Sequence, residues 1–348
     1  MATYSESGVN IELGDDASKV MYNAARITWE NRKGKFGEIV IPFDDFSGLR
    51  AIDVSSLPKG TMMSVNFDGI GTKAEIAERL NKHDTMAFDL FAMVCDDAVV
   101  RGGEPVLVGS ILDVNKLDLN VVKQLAKGYV NAAKEANVAV INGEIAELGS
   151  RVGGFGGHAY NWGAAVIWFA EKKNMFTGKE IKVGDKLVSF KEKGFRSNGF
   201  SLLRKIMEDK WDNKTLLEAL EPSKIYTKAV LEMLGKLHGV AHITGGGIPG
   251  KLGRMLKPSG LGARLDNLFG PCRLMNHCMD VGNVPINEAY KTWNMGNGMI
   301  VATDQPDSII RIAKKHGIEA KVSGEVVKEK GIQIYENFAE LDSVIHKF

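Results

Sequence analysis

The residues that could do chemistry fall into a few glycine-flanked clusters. Asp68-Gly69-Ile70-Gly71-Thr72-Lys73 joins a carboxylate and an ammonium to small residues whose backbone N–H groups can approach an anion. That set suits metal-bound phosphate. It lacks the spacing G-x-x-x-x-G-K-[ST] of a P-loop, and taken alone it reads as a tight turn closing a strand. Asp89, Asp96 and Asp97 form a second cluster. At about 100° per residue, Asp89 and Asp96 share one stripe of a helix, with Asp97 beside them. They are either a solvated helix edge or, through Asp97, part of a Mg²⁺ site, since Mg²⁺ takes oxygen ligands and ATP phosphates. Glu144, in Asn142-Gly143-Glu144-Ile145-Ala146-Glu147, follows an apolar strand. It is either a third acid at a strand's carboxyl end, where α/β proteins gather ligands, or a helix-capping glutamate.

In the second half, the loop 194–199 carries Arg196 and Asn198, and the loop 241–250 carries His242, Gly245 and Gly246. Polar, glycine-rich loops that lead into helices can bind phosphate or polarise an amide. His242 alone reads as a structural histidine or as an acid–base group. No covalent nucleophile stands out. There is no G-x-S-x-G elbow, and Cys95, Cys272 and Cys278 form neither a C-x-x-C pair nor a zinc spacing. A reaction driven by ATP and by positioning fits these residues better than covalent catalysis.

The elements that must hold these residues alternate. TMMSVNF at 61–67 reads as a strand running into the glycine turn. Apolar residues at 87, 90, 91, 94, 98 and 99 predict a helix over 83–101 with one buried face. Strands are expected near 105–114, 138–142 and 163–171, with a helix near 121–136. The segment MFTGKEIKVGDKL then changes character, which places a domain boundary near residue 173 and predicts domains over 1–173 and 174–348. The second half predicts strands near 186–190, 263–266, 299–303, 320–328 and 331–335, with helices near 199–209, 224–237 and 307–316. The class is α/β (α+β), with mixed sheets flanked by helices and a ligand cleft expected between the halves.

The bulk properties narrow the partners. The 348 residues exceed what one core usually supports, so two domains are the natural division. Lys and Arg total 44 against 43 acids, a net charge of +1, which recommends neither nucleic acid nor an anionic membrane. Small ligands are the expected partners. Three cysteines, an odd number, fit a reducing cytoplasm, and no apolar run is long enough to span a bilayer.

Taken in order, these segments resemble the phosphoribosylformylglycinamidine cyclo-ligase family, the aminoimidazole ribonucleotide synthetases. The resemblance runs along nearly the whole chain. It rests on SGVNIELG at 7–14, FDGIGTK at 67–73, HDTMAFDLFAMVCDDAVVRGGEPV at 83–106, NGEIAE at 142–147, RSNGFSLLRKI at 196–206, HITGGG at 242–247 and NMGNGM at 294–299. It implies a two-domain ATP-binding fold, a homodimer formed through the amino-terminal domains, and closure of the imidazole ring of aminoimidazole ribonucleotide from formylglycinamidine ribonucleotide with ATP and Mg²⁺. It further implies Asp68, Asp97 and Glu144 as metal–phosphate acids, Lys73 as a phosphate partner beside Gly69, Gly71 and Thr72, and Asn198 and His242 as neighbours of the substrate.

Two departures qualify that transfer. Pro42-Phe43-Asp44-Asp45-Phe46-Ser47-Gly48-Leu49 stands where the family has a glycine-rich run, which makes Asp44 and Asp45 secondary metal candidates. Arg196 stands where many members have histidine; an always-charged guanidinium suits phosphate or charge stabilisation rather than proton abstraction. The alternatives are another small-molecule kinase or synthetase of the same superfamily and a silent nucleotide-binding paralogue.

Overall fold

The computed structural model describes residues 11–41, 48–335 and 346–347. The chain divides into two compact units, Met1–Ala98 with Glu104–Lys172, and Val99–Gly103 with Lys173–Phe348. The five residues 99–103 therefore belong with the second unit although they lie inside the predicted first domain.

The first unit begins with helix α1 (Ile11–Thr28), whose buried Ala17, Ala24 and Thr28 recur at helical spacing. Strands β1 (Ile39–Val40) and β2 (Ala51–Ile52) pair antiparallel. Then follow β3 (Thr61–Gly69), α2 (Ala74–Leu80), α3 (Met86–Val99), β4 (Glu104–Val114), α4 (Leu119–Ala136), β5 (Ala139–Glu147) and β6 (Tyr160–Glu171). Helix α4 starts where the Asp118 side chain accepts from the N–H groups of Asn120 and Val121, and it stops at Asn137 in the left-handed region.

The sheet order is β3-β6-β4-β5. Strands β4 and β5 are parallel, and β6 runs antiparallel to both β3 and β4. One face is covered by α3 and α4 through a chain of rings, Phe91 to Tyr129 and Tyr129 to Trp162, each 5.2 Å between centroids. The end of α1 is fastened to β5: the Thr28 hydroxyl accepts from the Val140 N–H at 2.8 Å, and the Trp29 indole donates to the Val140 carbonyl at 2.8 Å. On the opposite face Met63, Val65, Phe67 and Ile111 stay exposed, Phe67 by 74%.

The second unit contains β7 (Lys186–Lys191), α5 (Phe200–Met207), α6 (Asn213–Ala219), α7 (Thr227–Met233), β8 (Gly239–His242), α8 (Gly247–Leu256), β9 (Gly262–Leu265), α9 (Arg273–Gly282), α10 (Ile286–Thr292), β10 (Asn297–Thr303), α11 (Pro306–Lys315), β11 (Ala320–Val327), β12 (Gly331–Ile334) and β13 (His346–Lys347). These strands form one sheet, β13-β12-β9-β11-β7-β10-β8, antiparallel except between β12 and β9. Val188, Phe190, Met299 and Val301 of the central strands pack with Tyr226, Val230 and Met233 of the α7 region and Ile309 and Ala313 of α11. The helix expected over 224–237 is shorter: α7 covers Thr227–Met233 and tightens into a 3₁₀ turn at Leu234–Lys236.

Candidate active site

In the first unit the predicted residues gather at one edge of the sheet. Strands β3, β4 and β5 point the same way, so their carboxyl ends and the amino end of β6 lie together. There a cleft of about 740 Å³ is lined by Asp68, Gly69, Asp113, Asn142, Glu144 and Asn161, among others. Asp68 and Glu144 are both exposed and sit on the two outer strands. Three strand spacings, on the order of 14 Å, separate those strands. The cleft thus has a carboxylate at each rim. Between them Gly69, Gly163 and Ile111 continue the row that ends at Glu144. Gly69 is required: a Cβ there would stand 2.9 Å from the Trp162 carbonyl oxygen. Its N–H donates to the Asp68 carboxylate at 2.7 Å.

A smaller pocket of about 200 Å³ adjoins the cleft, walled by Tyr22, Trp29, Arg50 and Tyr129 and sharing Ser110 and Glu144 with it. The Arg50 guanidinium lies 4.9 Å over the Tyr22 ring, and the Ser110 and Tyr129 hydroxyls are 2.7 Å apart. Burial pushes the Tyr129 phenol well above its ordinary range despite that bond, so it stays protonated.

Other expectations are corrected. Lys73 does not present its ammonium to the cleft: it is fully buried and donates to Asp89 at 2.8 Å, with Asp89 equally buried. The turn that follows Gly71, itself at φ +59°, tucks Lys73 beneath the strand end, where a carboxylate on α3 meets it. Asp89 is therefore a structural acid. Asp96 is buried as well, while Asp97 is half-buried and does not line the cleft. Among the described residues no three His, Cys, Asp or Glu side chains group to hold a metal ion. Asp68, Asp97 and Glu144 therefore do not form one protein-only metal cage. Asp44 and Asp45 lie outside the described residues. Gly71 and Thr72 are exposed in the turn beyond Asp68.

In the second unit Arg196 is the centre of a buried array. It is fully buried and adopts φ +58°. It donates to Glu192 at 2.6 Å, to the Lys224 carbonyl at 2.9 Å and to His242 Nε2 at 2.7 Å, and it covers the Tyr226 ring at 5.2 Å. A guanidinium only donates, so His242 Nε2 is the acceptor and the ring proton sits on Nδ1. Burial directs the Arg196 guanidinium at Glu192, the Lys224 carbonyl and His242 rather than at open solvent. Asn198 is different. It is half-buried with its amide 3.5 Å from where a Gly245 Cβ would lie, and its Oδ1 and the Ser197 Oγ make no hydrogen bond although both atoms are buried. The Asn198 amide beside Gly245, and Ser197 next to it in the chain, thus keep hydrogen-bonding capacity that the protein does not use.

Residue types alone did not single out Asp113, Asn142, Asn161 or Ser197. The available signal was pairing: Asp113 opposes Asn161 across β4 and β6. Burial raises all three thiols, Cys278 to about 12, so none is a ready nucleophile.

The chain matches the family profile described as AIR synthase related protein, N-terminal domain, over residues 50–158, and the corresponding C-terminal domain over 182–337. It is 34% identical to the phosphoribosylformylglycinamidine cyclo-ligase of Alkaliphilus metalliredigens, covering 94% of this chain and 95% of that one. It is 33% identical to the enzyme of that name from Thermococcus kodakarensis, covering 97% and 99%. Among solved structures the fold is similar to thiamine-monophosphate kinase from Stenotrophomonas maltophilia, with a TM-score of 0.62, 13% identity and coverage of 89% and 94%. It is also similar to hydrogenase maturation protein HypE in complex with ATP, with a TM-score of 0.58, 13% identity and coverage of 82% and 84%.

Proposed function

The chain belongs to the AIR synthase related family, and from that membership we propose that it is a phosphoribosylformylglycinamidine cyclo-ligase, closing an imidazole ring in purine biosynthesis. The carrying observation is identity of about a third to cyclo-ligases along nearly the full length of both chains. The reaction transfers the γ-phosphoryl group of ATP to the formyl amide oxygen of formylglycinamidine ribonucleotide. The amidine nitrogen then attacks the activated carbon and the C–O bond to phosphate breaks, releasing inorganic phosphate and aminoimidazole ribonucleotide beside ADP. Holding one flexible substrate folded makes that attack intramolecular, which is where most of the rate gain arises.

In this reading the first unit takes the nucleotide. The pocket walled by Tyr22, Trp29 and Arg50 offers ring faces to a planar base, and the cleft beside it receives the phosphates. Mg²⁺ usually binds through one or two carboxylates plus substrate phosphates. Asp68 and Glu144, on opposite rims, stand too far apart to share one ion, so each would hold Mg²⁺ singly alongside the phosphates, and the metal would neutralise phosphate charge. Lys73 supports the turn from below through Asp89. In the second unit Asn198, Ser197 and the N–H groups of Gly245 and Gly246 bind the ribonucleotide, while Arg196 orients His242. A second copy of the chain covers the part of the exposed apolar sheet face beyond the cleft, at Met63 and Val65. Free cysteines suit the cytoplasm, and no described helix is long and apolar enough to cross a membrane.

The test is ADP and aminoimidazole ribonucleotide formation by purified protein with Mg·ATP, with and without formylglycinamidine ribonucleotide. Stoichiometric, substrate-dependent products are expected. Asp68→Asn and Glu144→Gln should each lower kcat/KM by about 100-fold or more, in line with losing a charge-stabilising group, with melting unchanged. ATP binding without either product would favour the silent paralogue. Light scattering should give a dimer that Met63→Glu dissociates; a monomeric wild type would remove the pairing.

A further inference from the structure

We propose that Arg50 reads the base of the nucleotide, donating its Nε–H to a ring nitrogen of a purine held in the small pocket beside the cleft. The proposal rests on the ATP reading above and adds the group that selects the base. Among the described residues of the pocket wall Arg50 is the one basic side chain.

The first argument is an N–H without an acceptor. The Arg50 guanidinium is placed from two sides: Nη1 donates to the Gly48 carbonyl at 2.8 Å, and the guanidinium carbon lies 4.9 Å from the centre of the Tyr22 ring. Its Nε is buried, yet it has no hydrogen-bond partner among the described residues. Glu144 lines the same pocket, but no ion pair joins it to Arg50 among those residues. A buried donor on a charged group is costly to leave unmatched, and a pocket at hand lets a ligand supply the acceptor. The position is built before the ligand arrives, since β2 starts at Ala51, directly after Arg50, and pairs with β1.

The second argument is the kind of acceptor the walls admit. Met21, Tyr22, Ala25 and Trp29 line the pocket at helical spacing, from α1 and the turn that follows it. The Trp29 indole N–H is already given to the Val140 carbonyl, and the Ser110 and Tyr129 hydroxyls pair with each other. Arg26, outside the lining, lies 5.9 Å from the centre of the Tyr22 ring and 5.8 Å from that of Trp29, which steadies both. The pocket therefore presents ring faces and aliphatic carbon around the unmatched Arg50 N–H. A phosphate would suit the charge but gain nothing from the rings. A purine meets both: its faces stack on aromatic groups and on a guanidinium, and its unprotonated ring nitrogens accept hydrogen bonds.

The experiment is calorimetric binding, with Mg²⁺ and without the ribonucleotide substrate, of ATP, of ATP in which N1, N3 or N7 of the adenine is replaced by CH, and of inorganic tripolyphosphate. Wild type should bind one of the three altered nucleotides about tenfold more weakly than ATP, in line with a lost hydrogen bond to a charged donor. In Arg50→Met that difference should vanish, with ATP weakened to a similar degree and tripolyphosphate binding unchanged. Wild type that holds all three as tightly as ATP overturns the contact, and so does a difference that persists in Arg50→Met, which would assign it to another group. Loss of tripolyphosphate binding in Arg50→Met overturns it too, by placing Arg50 on the phosphates. In each of these cases ATP binding by wild type keeps the nucleotide reading; wild type that does not bind ATP overturns both.

Discussion

Lys73–Asp89 in the first unit and Arg196–Glu192 in the second are buried ion pairs beside site loops, and they are built differently. Lys73 is a compact point charge whose 2.8 Å contact braces a turn against a helix. Arg196 is a planar fork that joins Glu192, the Lys224 carbonyl and His242 from three separate segments. The first pair supports the loop that carries Asp68. The second sets the tautomer and position of an imidazole. Burial of a charge is tolerated in each case because the partner is equally buried, but the geometry each cation allows decides whether it props one contact or organises several.

The largest expected effect comes from breaking the simpler pair. Asp89→Ala leaves the Lys73 ammonium buried without its carboxylate and should cost about 3–5 kcal/mol in urea unfolding. The double change Lys73→Met with Asp89→Leu should recover most of it, because two apolar groups of similar volume need no partner. A loss below about 1 kcal/mol in Asp89→Ala would mean that Lys73 does not depend on Asp89, and would return it to the role of a phosphate ligand.

Arg196→Lys sharpens the contrast. An ammonium cannot reproduce the fork, so the bonds to His242 and the Lys224 carbonyl cannot both survive, and about 1.5–3 kcal/mol should be lost. Nitrogen NMR of the His242 ring should show the Nδ1–H tautomer in wild type and a mixture in the variant. An unchanged tautomer would show that another contact sets it.

The smallest effect concerns pH. Burial pushes His83 down to about 4, opposed by Asp118 and Asp84, and its Nδ1 lies 3.0 Å from the Tyr160 hydroxyl. The unfolded chain binds this proton near pH 6.5, the folded chain only near 4. The contribution is therefore complete above about pH 6.5 and is lost as pH falls toward 4. Melting should drop by a few degrees between pH 7 and pH 5, and His83→Gln should flatten that slope. An equal slope in the variant would assign the acid sensitivity elsewhere.

Much of the fold is legible in the chain. The apolar runs of β3, β4, β6 and β10 and the helical spacing in α3 predict their elements to within a few residues, although α3 proves buried on nearly every side, its Asp89 and Asp96 included, rather than along one face. Helix α1 escapes that reading because its buried face is Ala17, Ala24 and Thr28, small residues that hardly mark a hydrophobic stripe. Strand β8, four residues and all buried, is too short to show a period. The NMGNGM segment, one of the recognisable motifs, proves to be a scaffold: Asn294 donates to the Gly194 carbonyl at 2.8 Å, and Asn297 exchanges hydrogen bonds with the Phe269 backbone.

By itself the sequence determined that this is a two-part α/β chain with acids and glycines at strand ends and a cyclo-ligase-like order of motifs, since these follow from local spacing and residue type. Only the tertiary structure decided which charges face a ligand. Asp68 and Glu144 open onto one cleft while Lys73 and Arg196 turn inward. A side chain's direction depends on whether a complementary group from a distant segment, Asp89 for one and Glu192 with His242 for the other, meets it when the chain folds.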